Sequence, residues 1–147
     1  MSKRVVISEV QPQAYEVMFG FEKYLEKSNL DASLKELIKI RVSQINGCAY
    51  CINLHTKDAR KGGETEQRIY ALNAWRETSF FSELEIAVLA LAEEMTFINK
   101  GVSEQTYNNA ANLMDEVTLS QTIMAIITIN AWNRIAITTH QQPALDK

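Results

Sequence analysis

Apolar residues recur at three- and four-residue intervals along most of this chain and almost nowhere alternate with polar ones, which points to an all-α fold. Residues 13–28 place Tyr15, Met18, Phe19, Phe21, Tyr24 and Leu25 at helical spacings. Residues 33–46 do the same with Leu34, Leu37, Ile38, Val42 and Ile45, a stripe interrupted once by Arg41. Gly47 stops that helix, a third carries His55 to about residue 61, and Gly62-Gly63 closes it as a C-terminal cap pair. A short helix over 65–75 follows. Ser82-Glu83-Leu84-Glu85 reads as a capping box opening a helix from 83 to about 98, and Gly101 ends that stretch before Ser103 opens another, to about 115. Thr118-Leu119-Ser120-Gln121 repeats the capping pattern ahead of a last helix over 120–138. That helix is apolar nearly all round, through Ile123, Met124, Ile126, Ile127, Ile129, Trp132, Ile135 and Ile137, so it belongs at the centre or in a subunit interface. Its many β-branched residues make a strand the competing assignment.

With 147 residues, 46% of them hydrophobic, and no Pro/Gly/Ser-rich linker, the expectation is a single domain over 1–147. Net charge is −3 and the basic residues are scattered among acidic ones, so nothing recruits a phosphate backbone and no nucleic acid is expected as partner. Near the N-terminus Lys3 and Arg4 precede only the short apolar stretch Val5-Val6-Ile7, too little for a signal peptide. No apolar segment is long enough to span a bilayer, so the expected partners include no membrane and the expected location is cytoplasmic. No glycine-rich nucleotide loop is present, and no cofactor is expected.

Both cysteines of the chain fall in one C-x-x-C, Cys48-Ala49-Tyr50-Cys51, with His55 four positions on, a pattern that suggests thiol chemistry. Where the chain turns into a helix, two such thiols come together at the first turn and form a reversible dithiol. His55 then lies about 40° off the face of Cys51, near enough to serve either sulfur. The unpaired N–H groups of a helix N-terminus favour anions, so a thiol there should have a lowered pKa and more thiolate, with the histidine accepting or returning the proton. In a reducing compartment a C-x-x-C is catalytic or metal-binding more often than structural. Cys48, Cys51, His55 and Glu36 could supply four zinc ligands, but the usual second cysteine pair is absent and no metal is expected.

Glu36 lies twelve residues before Cys48, and Glu-x11-Cys-x2-Cys-x3-His resembles the active-site signature of the alkylhydroperoxidase D-like (AhpD-like) proteins of the carboxymuconolactone decarboxylase superfamily. The flanks from Lys39 to Gly47 and from Thr56 to Gly63 resemble the family's too, as do Glu83 to Thr96 and Asn130-Ala131-Trp132-Asn133-Arg134, so the likeness covers a core of about 33–137. The resemblance implies that Cys51 is the peroxidatic thiol, that Cys48 resolves its sulfenic acid to a disulfide, and that Glu36 and His55 form a proton relay. It implies an AhpD-like helical domain assembled as a homotrimer or homohexamer. The implied substrate is a peroxide, reduced at the expense of a thiol or protein reductant. The best-studied branch has a second histidine just before its second cysteine, and here that position is Tyr50, a phenol that can donate a hydrogen bond but cannot act as a neutral-pH base. Other functions compatible with the superfamily are disulfide reduction for a partner peroxidase, lactone decarboxylation without redox chemistry, and non-catalytic assembly.

Each residue also has a purely structural role to weigh. Glu36 completes Ser33-Leu34-Lys35-Glu36, which reads as a capping box. Trp75 and Trp132 read as core or interface packing, His140 as an exposed residue without function, and Lys57, Arg60 and Lys61 as solvated surface.

Overall fold

The computed structural model describes residues 3–146, so the first two residues of the N-terminal stretch lie outside the described residues. It is all-helical, with no strand among the described residues. Among the described residues eight α-helices run in chain order: α1 Ile7–Val10, α2 Pro12–Glu26, α3 Ala32–Asn46, α4 Ala49–Lys61, α5 Glu66–Ala71, α6 Glu83–Thr96, α7 Glu104–Ala111 and α8 Glu116–Thr139. None is long and apolar enough to cross a membrane.

Helix α3 is the hub, packed against α4, α6 and α8. Two faces of it are buried. Leu34, Ile38 and Val42, four residues apart, join Val88 and Leu91 of α6 and Ile126 and Ile129 of α8. Leu37 and Ile40 turn the other way, toward Ala59, Ile69, Leu72, Trp75 and Leu89. A third, small cluster holds Cys48, Cys51 and Ala136 with Tyr50 against it.

Local chemistry sets where the helices begin, and here the structure corrects two expectations. Asp31 caps α3, its carboxylate accepting from Ser33 N (2.9 Å) and Leu34 N (3.3 Å). The Ser33–Glu36 capping box therefore does not form. Ser33 Oγ donates instead to Glu64 Oε2 at 2.9 Å, and the Glu36 carboxylate is left for other partners. At α8, Asp115 accepts from Thr118 N at 2.8 Å, so the helix opens earlier than expected and Thr118 sits in its first turn. No strand forms there, because Leu119, Ala125, Ile126, Ile129 and Ala136 bury one helical face against the bundle, outweighing β-propensity. Ser82 and Glu85 do make the reciprocal box expected of them.

The remaining departures are at ends. The 65–75 helix is α5 followed by a 3₁₀ segment, Leu72–Glu77, kinked at Ala74. Helix α6 stops at Thr96, with a 3₁₀ turn Ile98–Lys100 before Gly101, and α7 stops at Ala111, short of the expected 115. The four-residue α1 carried no periodic signal. Arg41, the polar break in α3, donates from Nε to Glu93 Oε1 at 2.9 Å, an oxygen that also accepts from Trp75 Nε1 at 2.8 Å. Trp75 is core, as expected, and His140 is exposed, in the left-handed conformation that ends α8.

Candidate active site at the start of helix α4

Gly47 adopts φ 71°, ψ 32°, the left-handed conformation that glycine tolerates without strain, and so turns the chain sharply from α3 into α4. Cys48 follows with extended backbone as the N-cap of α4. Its Sγ accepts from Cys51 N at 3.3 Å, taking the place that a hydroxyl or carboxylate fills at other helix starts. Cys48 and Cys51 are joined as a disulfide across the first turn, with their Cα atoms 5.3 Å apart. Both are buried, at 2% and 3% exposure.

Beneath them a polar frame ties α3 to α8. Asn46 Nδ2 donates to Asn130 Oδ1 (3.0 Å) and Asn133 Oδ1 (2.9 Å), and Asn133 Nδ2 donates to Ser43 Oγ (3.0 Å). Asn133 and Ser43 are fully buried with their hydrogen bonds met, so the frame holds the end of α3, and with it the turn into the cysteines, in one register.

His55 lies one turn beyond Cys51 on α4, and its Nδ1 is 3.1 Å from Glu36 Oε2. The other carboxylate oxygen, Oε1, accepts from Lys39 Nζ at 3.1 Å. Burial pushes the Glu36 pKa up, but the hydrogen bond to His55 and the nearby Lys39 ammonium outweigh it, leaving the carboxyl below its ordinary value. Asp58, one turn further along α4, brings its carboxylate within 4.8 Å of the ligand-capable atoms of Glu36 and His55. The group that the fold gathers is therefore Glu36, His55 and Asp58 with Lys39, and not the set of Cys48, Cys51, His55 and Glu36 that a zinc site would need.

A cleft of about 340 Å³ opens over this group. Cys51 lines it and Cys48 does not. Lys39, His55 and Asp58 form its polar side; Tyr15, Phe19, Tyr50 and Trp132 form its apolar side. Sequence reasoning placed Glu36, Cys48, Cys51 and His55 together but missed Lys39, Asp58, Tyr15 and Phe19. Lys39 had a signal, since it lies one helical turn from Glu36 on α3. Trp132 is half-buried and faces the cleft, more than the packing role expected of it.

Lys39 has a checkable consequence. A carboxyl whose folded pKa is depressed contributes stability that is fully present above its ordinary 4.5 and is lost as pH falls through the lower folded value. Lys39→Met removes one cause of the depression, so acid unfolding followed by circular dichroism should begin at higher pH in the variant. An unmoved acid limb would mean that Lys39 does not hold Glu36 ionised.

A helical domain with a C-x-x-C disulfide at a helix start, flanked by a partly buried Glu–His pair, has the AhpD-like fold. The chain belongs to the carboxymuconolactone decarboxylase family, whose sequence profile matches residues 12–94, and within it to the AhpD-like proteins. YdfG of Bacillus subtilis strain 168, an uncharacterized protein, is 48% identical over 138 residues, spanning 93% of this chain and 94% of its own. ATU0492 of Agrobacterium tumefaciens, a protein of unknown function put forward as the antioxidant defence protein AhpD, superposes with a TM-score of 0.95 at 31% identity, over 99% of this chain and 100% of that one. An uncharacterized peroxidase-related protein of Ralstonia eutropha JMP134 with an alkylhydroperoxidase AhpD core shares the fold alone: TM-score 0.81, 16% identity, over 93% of this chain and 74% of that one.

Proposed function

We propose that this protein is a thiol-dependent peroxidase that reduces organic hydroperoxides through Cys51 and Cys48, with Glu36 and His55 moving the proton. The observation that carries it is the single cleft shared by Cys51, His55 and Lys39, with Glu36 bonded behind His55 and Cys48 bonded behind Cys51. In the reduced protein His55, oriented by its hydrogen bond to Glu36, takes the Cys51 proton. The Cys51 thiolate attacks the distal oxygen of ROOH, the O–O bond breaks, and Cys51 becomes a sulfenic acid while RO⁻ leaves. The proton held by His55 returns to RO⁻ and gives the alcohol. Cys48 then condenses with the sulfenic acid, releasing water and forming the disulfide. An external dithiol resets the pair by exchange, itself becoming a disulfide. Tyr50 lines the same cleft, where its hydroxyl can donate a hydrogen bond to the peroxide.

Glu36→Gln tests the relay. The amide keeps the shape of the side chain and loses the charge, so alkylation of the reduced dithiol at neutral pH should slow roughly tenfold, in line with removing one member of a proton-transfer pair, while the fold is unchanged. Unchanged alkylation would defeat the relay. Because Asp31 and not Ser33 caps α3, loss of capping does not confuse the result.

The same reading takes the chain as one cytoplasmic domain working as a homotrimer or homohexamer. Exposed apolar side chains on α2 and α8, Val17 at 68%, Ile127 at 41% and Ile137 at 43%, support assembly. Gel filtration at an apparent mass near that of one chain would contradict it.

A further inference from the structure

We propose that the cleft over Cys51 selects an uncharged hydroperoxide carrying an aromatic body, held by a wall of rings from α2 and α8. This rests on the peroxidase reading and specifies the substrate class. Cys51 is only 3% exposed and lines the cleft, so a peroxide reaches it from there. A volume of about 340 Å³ falls in the range of sites built for small organic ligands, whereas a water-sized molecule occupies roughly 30 Å³. Hydrogen peroxide would leave most of that space, and all of its apolar wall, unused.

The wall is a fixed surface. Tyr15 stands edge-on to both Phe19 and Trp132, with ring centroids 6.0 and 5.5 Å apart, and Phe19 lies 5.7 Å from Trp132. Trp132 Nε1 donates to Glu22 Oε1 at 3.0 Å, which orients the indole and uses up its one polar group. Phe19 nevertheless remains 50% exposed, apolar surface that a bound ring would cover. The charged residues around the cleft set the charge rule. Glu22 and Asp58 line the cleft, Glu36 stands behind His55, and Lys39, among the described residues the one lysine or arginine lining the cleft, is already bonded to Glu36. A carboxylate-bearing peroxide would meet a surface on which Glu22 and Asp58 outnumber the lysine, itself already paired with Glu36. An uncharged aryl group against the rings puts the hydroperoxide end toward Cys51 and His55, and the departing alcohol takes its proton from the imidazole.

The test uses the fully reduced full-length protein and follows thiol loss by rapid quenching with cumene hydroperoxide, hydrogen peroxide and the 4-carboxylate of cumene hydroperoxide. Each rate constant is divided by that of the same peroxide with free dithiothreitol. The expected result is a normalised rate for cumene hydroperoxide roughly tenfold or more above each of the other two. Phe19→Ala and Tyr15→Leu should each lower the cumene-to-hydrogen-peroxide ratio several-fold. Equal normalised rates in the wild type, or a ratio unchanged in both variants, would overturn the substrate class while leaving the peroxidase reading in place. A dithiol that none of the three oxidises faster than dithiothreitol would sink both.

Discussion

Cys51→Ser should abolish hydroperoxide consumption outright, whereas Cys48→Ser should consume one equivalent and stop at a sulfenic acid. The two sulfurs are inequivalent before any chemistry begins. Cys51 lines the cleft beside His55, while Cys48 sits behind it as the N-cap of α4, its sulfur already accepting the Cys51 amide. A serine hydroxyl at 51 cannot ionise at neutral pH, so the nucleophile is lost rather than slowed. At position 48, serine is a good N-cap, so its hydroxyl can take over the bond from Cys51 N and the helix start survives. What Cys48→Ser loses is the resolving thiol, and the sulfenic acid should persist long enough to be captured by dimedone and weighed. The reverse pattern, with dimedone capture only in Cys51→Ser, would exchange the two roles.

The largest effect on stability should come from Glu93→Ala, outside the thiol cleft. Glu93 accepts from Arg41 Nε and Trp75 Nε1 through one oxygen and from Arg76 through the other. Its side chain is 13% exposed and that of Arg41 16%, so alanine strands a nearly buried guanidinium and an indole N–H together. Removing one partner of such a group costs about 3 kcal/mol, or roughly 10 °C in Tm for a chain of this size. Burial raises the Glu93 pKa, but the bonds from Arg76, Trp75 and Arg41 outweigh it, so the folded value lies below the ordinary 4.5. The contribution is therefore complete above that pH and fades as pH falls through the lowered value, and the gap between wild type and variant should narrow in acid. Thermal melts at neutral and acid pH check both parts. A loss under about 0.5 kcal/mol would place the cluster among ordinary surface pairs.

Arg41 also shows why the sequence was legible in some places and opaque in others. The apolar period of α3 was plain, yet the arginine within it looked like an interruption, because its partner lies on α6 and Trp75 comes from the segment between. The cysteine pair and His55 were readable because their chemistry is local, held within a turn or two of one helix. Glu36 was readable only through its spacing to Cys48, and the competing capping box was settled by Asp31, a residue two positions before Ser33 that no pattern favoured over it. The β-branched run of α8 kept strand and helix in competition until packing against α3 and a carboxylate cap decided it. Lys39 and Asp58 required knowing how α3 and α4 face each other. The aromatic wall required more still, since Tyr15 and Phe19 meet Trp132 only after α2 has folded back across α8.

The most direct test of the dithiol chemistry is the intact mass of the fully reduced protein before and after brief exposure to one equivalent of organic hydroperoxide. Rapid loss of two hydrogens is expected in the wild type, with an equal yield of the alcohol. A mass that stays unchanged while the hydroperoxide persists would contradict it, and would turn attention to disulfide reduction on a protein partner.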